Sequence, residues 1–425
     1  MINEDSLKVV ASARLNEQIG KPLYESYCFS KTPQMISHLL TGEGTIGLPA
    51  SVLGNLPHSY DQVILIFVDA FGWRFFEQYV EKSEFLKRFL SQGVASKLTT
   101  QFPSTTAAHV TTIHSGLPVG ESGIYEWFYY EPLIEDIIAP LLFSFAGDRE
   151  RETLQKTGIS EQAFFPTTTL YQHLKRYGVQ SYCFQHQNYA LSPFSRVVCD
   201  GAKMVPYRTL PEALVNLGEA AIAQSEKAYF FLYVDSIDAI GHRYSPNSPQ
   251  FEAEVNTFLL TMERLFHQTL AGKLDNTLLL ITADHGQIEV SPQTTIYLNQ
   301  LIPAIEQFIK TNSQGKRLVP AGSPRDMFLY IQEEHLEQVY DLLSQKLADQ
   351  ATVYRTKTLI DQGYFGVSKP SSALMERLGN LVILPYKYET VWWYEKDRFE
   401  QRNLGHHGGL SCEEMETVLL ALAYS

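Results

Sequence analysis

Three stretches decide the fold: VILIFVDAFG (Val63–Gly72), AYFFLYVDSIDAIGH (Ala228–His242) and NTLLLITADHG (Asn276–Gly286). Each is an unbroken apolar run, then an acid, then a turn residue. Apolar runs without polar alternation read as strands buried on both faces, which means parallel strands covered by helices. Helical patterns lie between them. Leu170–Tyr177, with Gly178 as a C-cap, leads into a strand at Val179–Phe184, and Phe251–Leu270 ends before Gly272. The fold class expected is α/β, with a mostly parallel central sheet sandwiched by helices.

Working outward, residues 301–399 have a different texture. Met327–Ile331 reads as a strand, Glu333–Leu347 as a helix, and Ala351–Arg355 and Leu381–Pro385 as strands. The expected division is therefore a core unit from 45–300 plus 400–425, a small α+β cap insertion over 301–399, and an N-terminal segment, 1–44, packed on the core.

The chain has 425 residues and a formal charge of −13, with 44% hydrophobic and 12% aromatic residues. Such a composition buries a large core. The acidic balance argues against a nucleic-acid-binding surface, whose affinity comes from Lys and Arg on phosphates. No apolar run approaches the ~20 residues of a membrane span, and the acidic N-terminus lacks a signal-peptide pattern. Cys28, Cys183, Cys199 and Cys412 have no C-x-x-C spacing, so reduced cysteines in a cytoplasmic protein are expected.

In open α/β sheets ligands bind beyond the carboxyl ends of the strands. Asp69, Asp235 or Asp238, and Asp284 fall at or just past such ends. Converging carboxylates repel unless neutralised, and a divalent cation does this most directly. An Asp after a strand often only opens a turn. The histidines shift that balance. Asp238 and His242 stand four apart in D-A-I-G-H, Asp284 and His285 are adjacent in A-D-H-G, and His406 and His407 lie in G-H-H-G-G. Mixed oxygen and imidazole donors suit zinc or a similar metal. Asp238 shares the loop of His242 and is the favoured ligand, with Asp235 as a turn residue or a neighbour.

Between the first two apolar runs, F-P-S-T-T-A-A-H (Phe102–His109) opens a helical run stopped by Gly116. A hydroxyl at a helix start sits in the positive end of the dipole, a suitable place for a nucleophile that attacks phosphorus. Ser104, Thr105 and Thr106 all qualify, and each could equally be an ordinary N-cap.

Taken together, V-D-A-F-G, F-P-S-T-T-A-A-H with S-G-L-P, D-A-I-G-H, A-D-H-G and H-G-G resemble, in order, the alkaline phosphatase superfamily, and within it the type I phosphodiesterase/nucleotide pyrophosphatase branch. The resemblance implies an alkaline phosphatase-like core and two divalent metal ions, zinc in the first place with manganese as the alternative. One ion would be held by Asp69, Thr106, Asp284 and His285, the other by Asp238, His242 and His407. It further implies Thr106, three residues after Pro103, as the nucleophile of a phospho-threonine intermediate, and hydrolysis of a phosphodiester or pyrophosphate bond in a small-molecule phosphoester substrate. Where the branch commonly carries an Asn donor this chain has His109, whose N–H is the expected donor to a phosphoryl oxygen. A phosphomonoesterase or phosphonate hydrolase is the alternative on the same metal core. A catalytically silent metal-binding protein is the alternative of another class. The sulfatase motif C-x-P-x-R is absent. Tyr125 and Trp127, with Phe128, are the expected substrate-pocket residues. Tyr364, Phe365, Trp392 and Trp393 read mainly as core aromatics.

Overall fold

The computed structural model describes residues 1–14 and 19–425. Its centre is a seven-stranded sheet: β1 (Gln62–Val68), β2 (Val94–Thr99), β3 (Gln180–His186), β4 (Lys203–Tyr207), β5 (Ala228–Val234), β6 (Thr277–Thr282) and β7 (Glu416–Tyr424). The spatial order is β2-β7-β6-β1-β5-β3-β4. Strands β6, β1, β5, β3 and β4 pair in parallel, and β7 runs antiparallel to both its neighbours, β2 and β6. The three apolar runs are β1, β5 and β6, side by side at the middle of the sheet, where both faces must be covered.

Alternate side chains of these strands go to opposite layers, as the two-residue period of a strand dictates. Val63, Leu65 and Phe67 join one apolar cluster, Ile64, Ile66 and Val68 the other. Helices α1 (Thr32–Thr41) and α2 (Thr106–Ser115) cover the first face, and α3 (Leu210–Ala223) and α4 (Pro249–Thr261) the second. The anticipated long helix after Ser248 is present but changes pitch, with a π segment at Met262–His267 before a last turn at Gln268–Leu270.

The late, differently textured region forms its own three-stranded antiparallel sheet from Met327–Leu329, Ala351–Arg355 and Leu381–Pro385. A helix at Leu336–Lys346 and a separate apolar cluster accompany it, including Leu298, Leu343 and Trp393. At the start of the chain, Ile2 bridges Ala95 and Cys28 bridges Thr99, so both sit on the outer strand β2. Among the described residues no helix is long and apolar enough to cross a membrane.

Candidate active site

The carboxyl ends of β1, β5 and β6 deliver the site. Asp69 follows β1 directly, and Ala70 then takes a left-handed φ of +63°, unusual for a residue with a Cβ. That turn aims the Ala70 N–H at Asp284 Oδ1, 3.0 Å away. The two Asp loops touch through glycine: a Cβ on Gly72 would stand 2.6 Å from the Cα of Gly286. Asp238 and His242 lie one turn apart on α5 (Ser236–Tyr244), which starts at the end of β5. His407 comes from the loop before β7.

These elements bring together Asp69, Thr106, Asp238, His242, Asp284, His285 and His407. His285 Nε2 is 3.4 Å from Asp69 Oδ1 and 3.3 Å from Asp284 Oδ2. His242 Nε2 is 3.3 Å from Asp238 Oδ2, and His407 Nε2 is 3.7 Å from Asp238 Oδ1. Asp69, Asp284 and His285 form one group able to hold a metal ion; Asp238, His285 and His407 form another, sharing His285.

The hydrogen bonds set the tautomers. Nδ1 of His285 donates to the Gly286 carbonyl (2.9 Å), Nδ1 of His242 to the Gly405 carbonyl (2.7 Å) and Nδ1 of His407 to the Ser104 carbonyl (3.0 Å). Each Nε2 therefore turns a lone pair toward carboxylate oxygens, an arrangement that is repulsive until a cation or proton lies between them. Backbone carbonyls behind ligating imidazoles are the usual support of a metal site. Asp284 Oδ2 is buried without a hydrogen-bond partner among the described residues. Burial, and the charges of Asp284 and Asp238, push the Asp69 carboxyl well above its usual range. This donor set fits divalent cations.

Of the three candidate hydroxyls, only Thr106 faces the clustered carboxylates and imidazoles. Its Oγ1 is 3.1 Å from His285 Nε2 and 3.5 Å from Asp69 Oδ1, at the first position of α2. Ser104 Oγ instead donates to the Gly409 carbonyl (2.8 Å). Thr105 is the N-cap residue but makes no side-chain cap bond, and its hydroxyl lies beside Glu126.

Two cavities meet at Thr106 and Asp238. The larger, about 510 Å³, is walled by Phe128, Trp392 and Phe399 with His242 and His407 at its floor. The smaller, about 230 Å³, is lined by Asp69, Tyr189, Tyr233 and Asp235. Trp127 stands between the two and lines both. Asp235 is thus a wall residue and belongs to neither ligand group. His406 accepts the His407 N–H at Nδ1 (3.0 Å) and lines the larger cavity beside its neighbour.

Two expectations are corrected. His109 is fully buried, its Nε2 accepts the Gln101 N–H (2.9 Å), and its Nδ1 donates to the Thr105 carbonyl (2.7 Å). No ring nitrogen remains for a phosphoryl oxygen, and burial holds the ring neutral, its pKa lowered to about 3. Tyr125 is also core: its ring stacks on Tyr129 and its hydroxyl meets Tyr330 and the Arg377 carbonyl, away from both cavities. Tyr364 and Phe365 pack edge-on to Phe102, whereas Trp392 reaches the larger cavity.

Several supporting residues were not anticipated. The Tyr233 hydroxyl donates to Asp69 Oδ2, and Gln287 Nε2 donates to Asp238 Oδ1 (2.9 Å). Glu126 lines the larger cavity almost wholly buried and pairs with Asp326, which accepts from the backbone N–H and the hydroxyl of Ser323. Arg325 and Glu414 form a buried, two-pronged ion pair beneath the His407 loop, with contacts of 3.0 and 2.9 Å. The S-P-R-D run at Ser323–Asp326 was the available signal: four polar or turn residues leading straight into a buried strand.

The fold, with carboxylates and imidazoles gathered at the ends of parallel strands beside a helix-start threonine, is that of the alkaline phosphatase superfamily. The chain belongs to the type I phosphodiesterase/nucleotide pyrophosphatase family, whose model matches residues 63–410. It is 23% identical, over 385 residues, to human ectonucleotide pyrophosphatase/phosphodiesterase family member 5, covering 88% of this chain and 71% of that protein. Its fold is similar to the solved structures of the murine and human enzymes of that name, with a TM-score of 0.63 and 19% identity for each, covering 85% of this chain and 87% of theirs. One murine structure is an inactive threonine-to-alanine variant in complex with AMP.

Proposed function

We propose that this chain hydrolyses a phosphodiester or pyrophosphate bond in a small, nucleotide-like substrate, with Thr106 as the attacking group and two divalent cations, zinc in the first place. The observation that carries this reading is the position of Thr106, within 3.1 Å of His285 Nε2 and 3.5 Å of Asp69 at the junction of two cavities. The AMP complex of the murine relative supports a nucleotide-like substrate.

Asp69, Asp284, His285 and Thr106 would hold one cation and Asp238, His242 and His407 the other. When bound, such ions neutralise the carboxylates, lower the pKa of a nearby hydroxyl and stabilise charge on phosphoryl oxygens. The chain supplies the rest. The start of α2 presents backbone N–H groups and a positive dipole end to the non-bridging oxygens. Thr106 Oγ1 forms its bond to phosphorus as the opposite bond to the leaving oxygen breaks, and the leaving oxygen takes up a proton. Water then attacks the phospho-threonine and returns the Thr106 hydroxyl. The Tyr233 hydroxyl holds Asp69 and Gln287 holds Asp238, so the acids keep their orientation through both steps.

The test is Thr106→Ala. Metal content per chain should equal that of the wild type while turnover of bis(p-nitrophenyl) phosphate falls at least about 1,000-fold, the scale of losing a nucleophile. Turnover at the wild-type rate would remove Thr106 from this role. The mononitrophenyl ester and phosphonoacetate, run beside it, separate the diesterase from the monoesterase and phosphonate hydrolase. Less than one equivalent of metal after zinc-supplemented purification would favour a silent protein.

A further inference from the structure

We propose that His114, Cys183 and Cys199 form a separate, structural metal site for a thiophilic divalent cation such as zinc, away from the phosphate-handling ligands. The three come from different elements. His114 is in the last turn of α2, the helix that starts with Thr106. Cys183 lies within β3, and Cys199 caps a short helix at Pro193–Val198. One donor atom from each lies within 4.8 Å of the other two, and all three residues are buried.

The distances match the chemistry. The two Sγ atoms are 3.5 Å apart. Two zinc–sulfur bonds of about 2.3 Å at a tetrahedral angle require about 3.8 Å, so only a slight parting is needed. The Tyr171 hydroxyl, 2.6 Å from His114 Nδ1, places a fourth polar atom in the same cluster. Around these atoms the surroundings are apolar: Phe231 packs edge-on to the His114 ring, and Tyr229 stacks on Tyr171.

Charge balance selects the cation. Binding releases the two thiol protons and forms two thiolate–metal bonds and one imidazole–metal bond. Two thiolates cancel the charge of a divalent ion, so the complex is neutral and can be buried without the desolvation penalty of a net charge. Sulfur donors favour zinc over magnesium or calcium. The imidazole is already neutral, since burial lowers its pKa to about 3. His114 also lines the smaller cavity, which gives an ion a way in. An ion there would pin the end of the nucleophile helix to β3, whose Gln185 lines the same cavity.

Cobalt substitution tests this in the intact enzyme, purified under reducing conditions. The phosphate-handling ligands offer only oxygen and nitrogen, so they contribute visible d–d bands but no thiolate-to-cobalt charge transfer. Cobalt-loaded wild type should show a strong near-ultraviolet charge-transfer band, and one more metal per chain than Cys183→Ser/Cys199→Ser. The double variant should lose that band and keep the d–d bands. Two results would overturn the site: a wild-type spectrum with d–d bands and no charge transfer, or a charge-transfer band that survives the double replacement. The first reading needs no variant, so it stands even if the replacement does not fold.

Discussion

The imidazoles of His285 and His407 lie face to face, with ring centroids 3.5 Å apart and planes 13° from parallel. One ring follows β6 and the other precedes β7, so the stack ties together two candidate metal-holding groups that are far apart in sequence. Both rings give their Nδ1 proton to a backbone carbonyl and present Nε2 to the carboxylates. Burial, with the neighbouring histidines, holds His407 neutral by pushing its pKa well below the usual value.

The stack predicts unequal effects of removing the two histidines that flank Asp238. His242→Ala removes one donor and leaves the His285–His407 pair in place. His407→Ala also uncovers the face of His285, so the remaining ion should bind about 10–100-fold more weakly as well, the scale seen when a ligand loses its support. Chelator competition on the two variants measures this. Equal affinity for the remaining ion in both would mean that the stack does not couple the groups.

Gln287 predicts a second effect, felt entirely through Asp238. Its amide donates to Asp238 Oδ1 (2.9 Å) and to the Asp238 carbonyl (3.3 Å). It can reach because position 241 has no side chain: a Cβ on Gly241 would collide with the Gln287 carboxamide. Gln287→Ala and Gly241→Ala should therefore produce the same defect, a drop of about 10–100-fold in activity. Extra zinc in the assay should restore it in part. A Gly241→Ala enzyme with wild-type activity would show that Gln287 does not set Asp238.

Much of this candidate site was legible in the sequence because its acids lie at or just past strand ends. An unbroken apolar run predicts a doubly covered strand, and its end predicts the binding edge, so Asp69, Asp238 and Asp284 could be located before their contacts were known. Composition could not do this, since a charge of −13 says nothing about which acids converge. What stayed hidden was direction within a turn. His109 lies three residues beyond Thr106 on the same helix, yet its ring swings back to the Thr105 carbonyl and the Gln101 N–H. Tyr125 and Trp127 lie two apart, and one is core while the other is a cavity wall. Partners distant in sequence, such as Gln287 for Asp238 or Asp326 for Glu126, leave no local pattern at all.

The Arg325–Glu414 pair predicts a stability effect beneath the His407 loop. Arg325 is fully buried; besides Glu414 its guanidinium reaches the carbonyls of Tyr386 (2.8 Å) and Glu389. Glu414 also accepts the Gly409 N–H (3.0 Å), just past His407. Removing one partner leaves a buried charge without its counter-ion, so Arg325→Met should cost about 3–5 kcal/mol in urea unfolding. Arg325→Met/Glu414→Leu should recover much of that, because no lone charge remains. If the double variant is as unstable as the single, the hydrogen bonds to the loop matter more than the charge pairing.

Glu126 predicts a pH effect on stability whose sign is fixed. Burial raises its pKa from 4.5 to about 7, and its neighbour Asp326 is raised too, by burial and then by the Glu126 charge. In unfolded chains Glu126 ionises near its ordinary pKa, while the folded protein keeps the proton up to about pH 7. Between pH 4.5 and 7 the folded state therefore binds more protons, and stability falls as pH rises across that window, then levels off. A shift of this size corresponds to about 3 kcal/mol. Glu126→Gln has no proton to hold and keeps an acceptor for the Trp127 N–H, so its stability should lack this component. Urea unfolding of wild type and variant at pH 5 and pH 7.5 measures it as the difference of differences. Parallel behaviour of the two proteins would mean that Glu126 is ionised in the fold, with its charge balanced by something other than a shared proton.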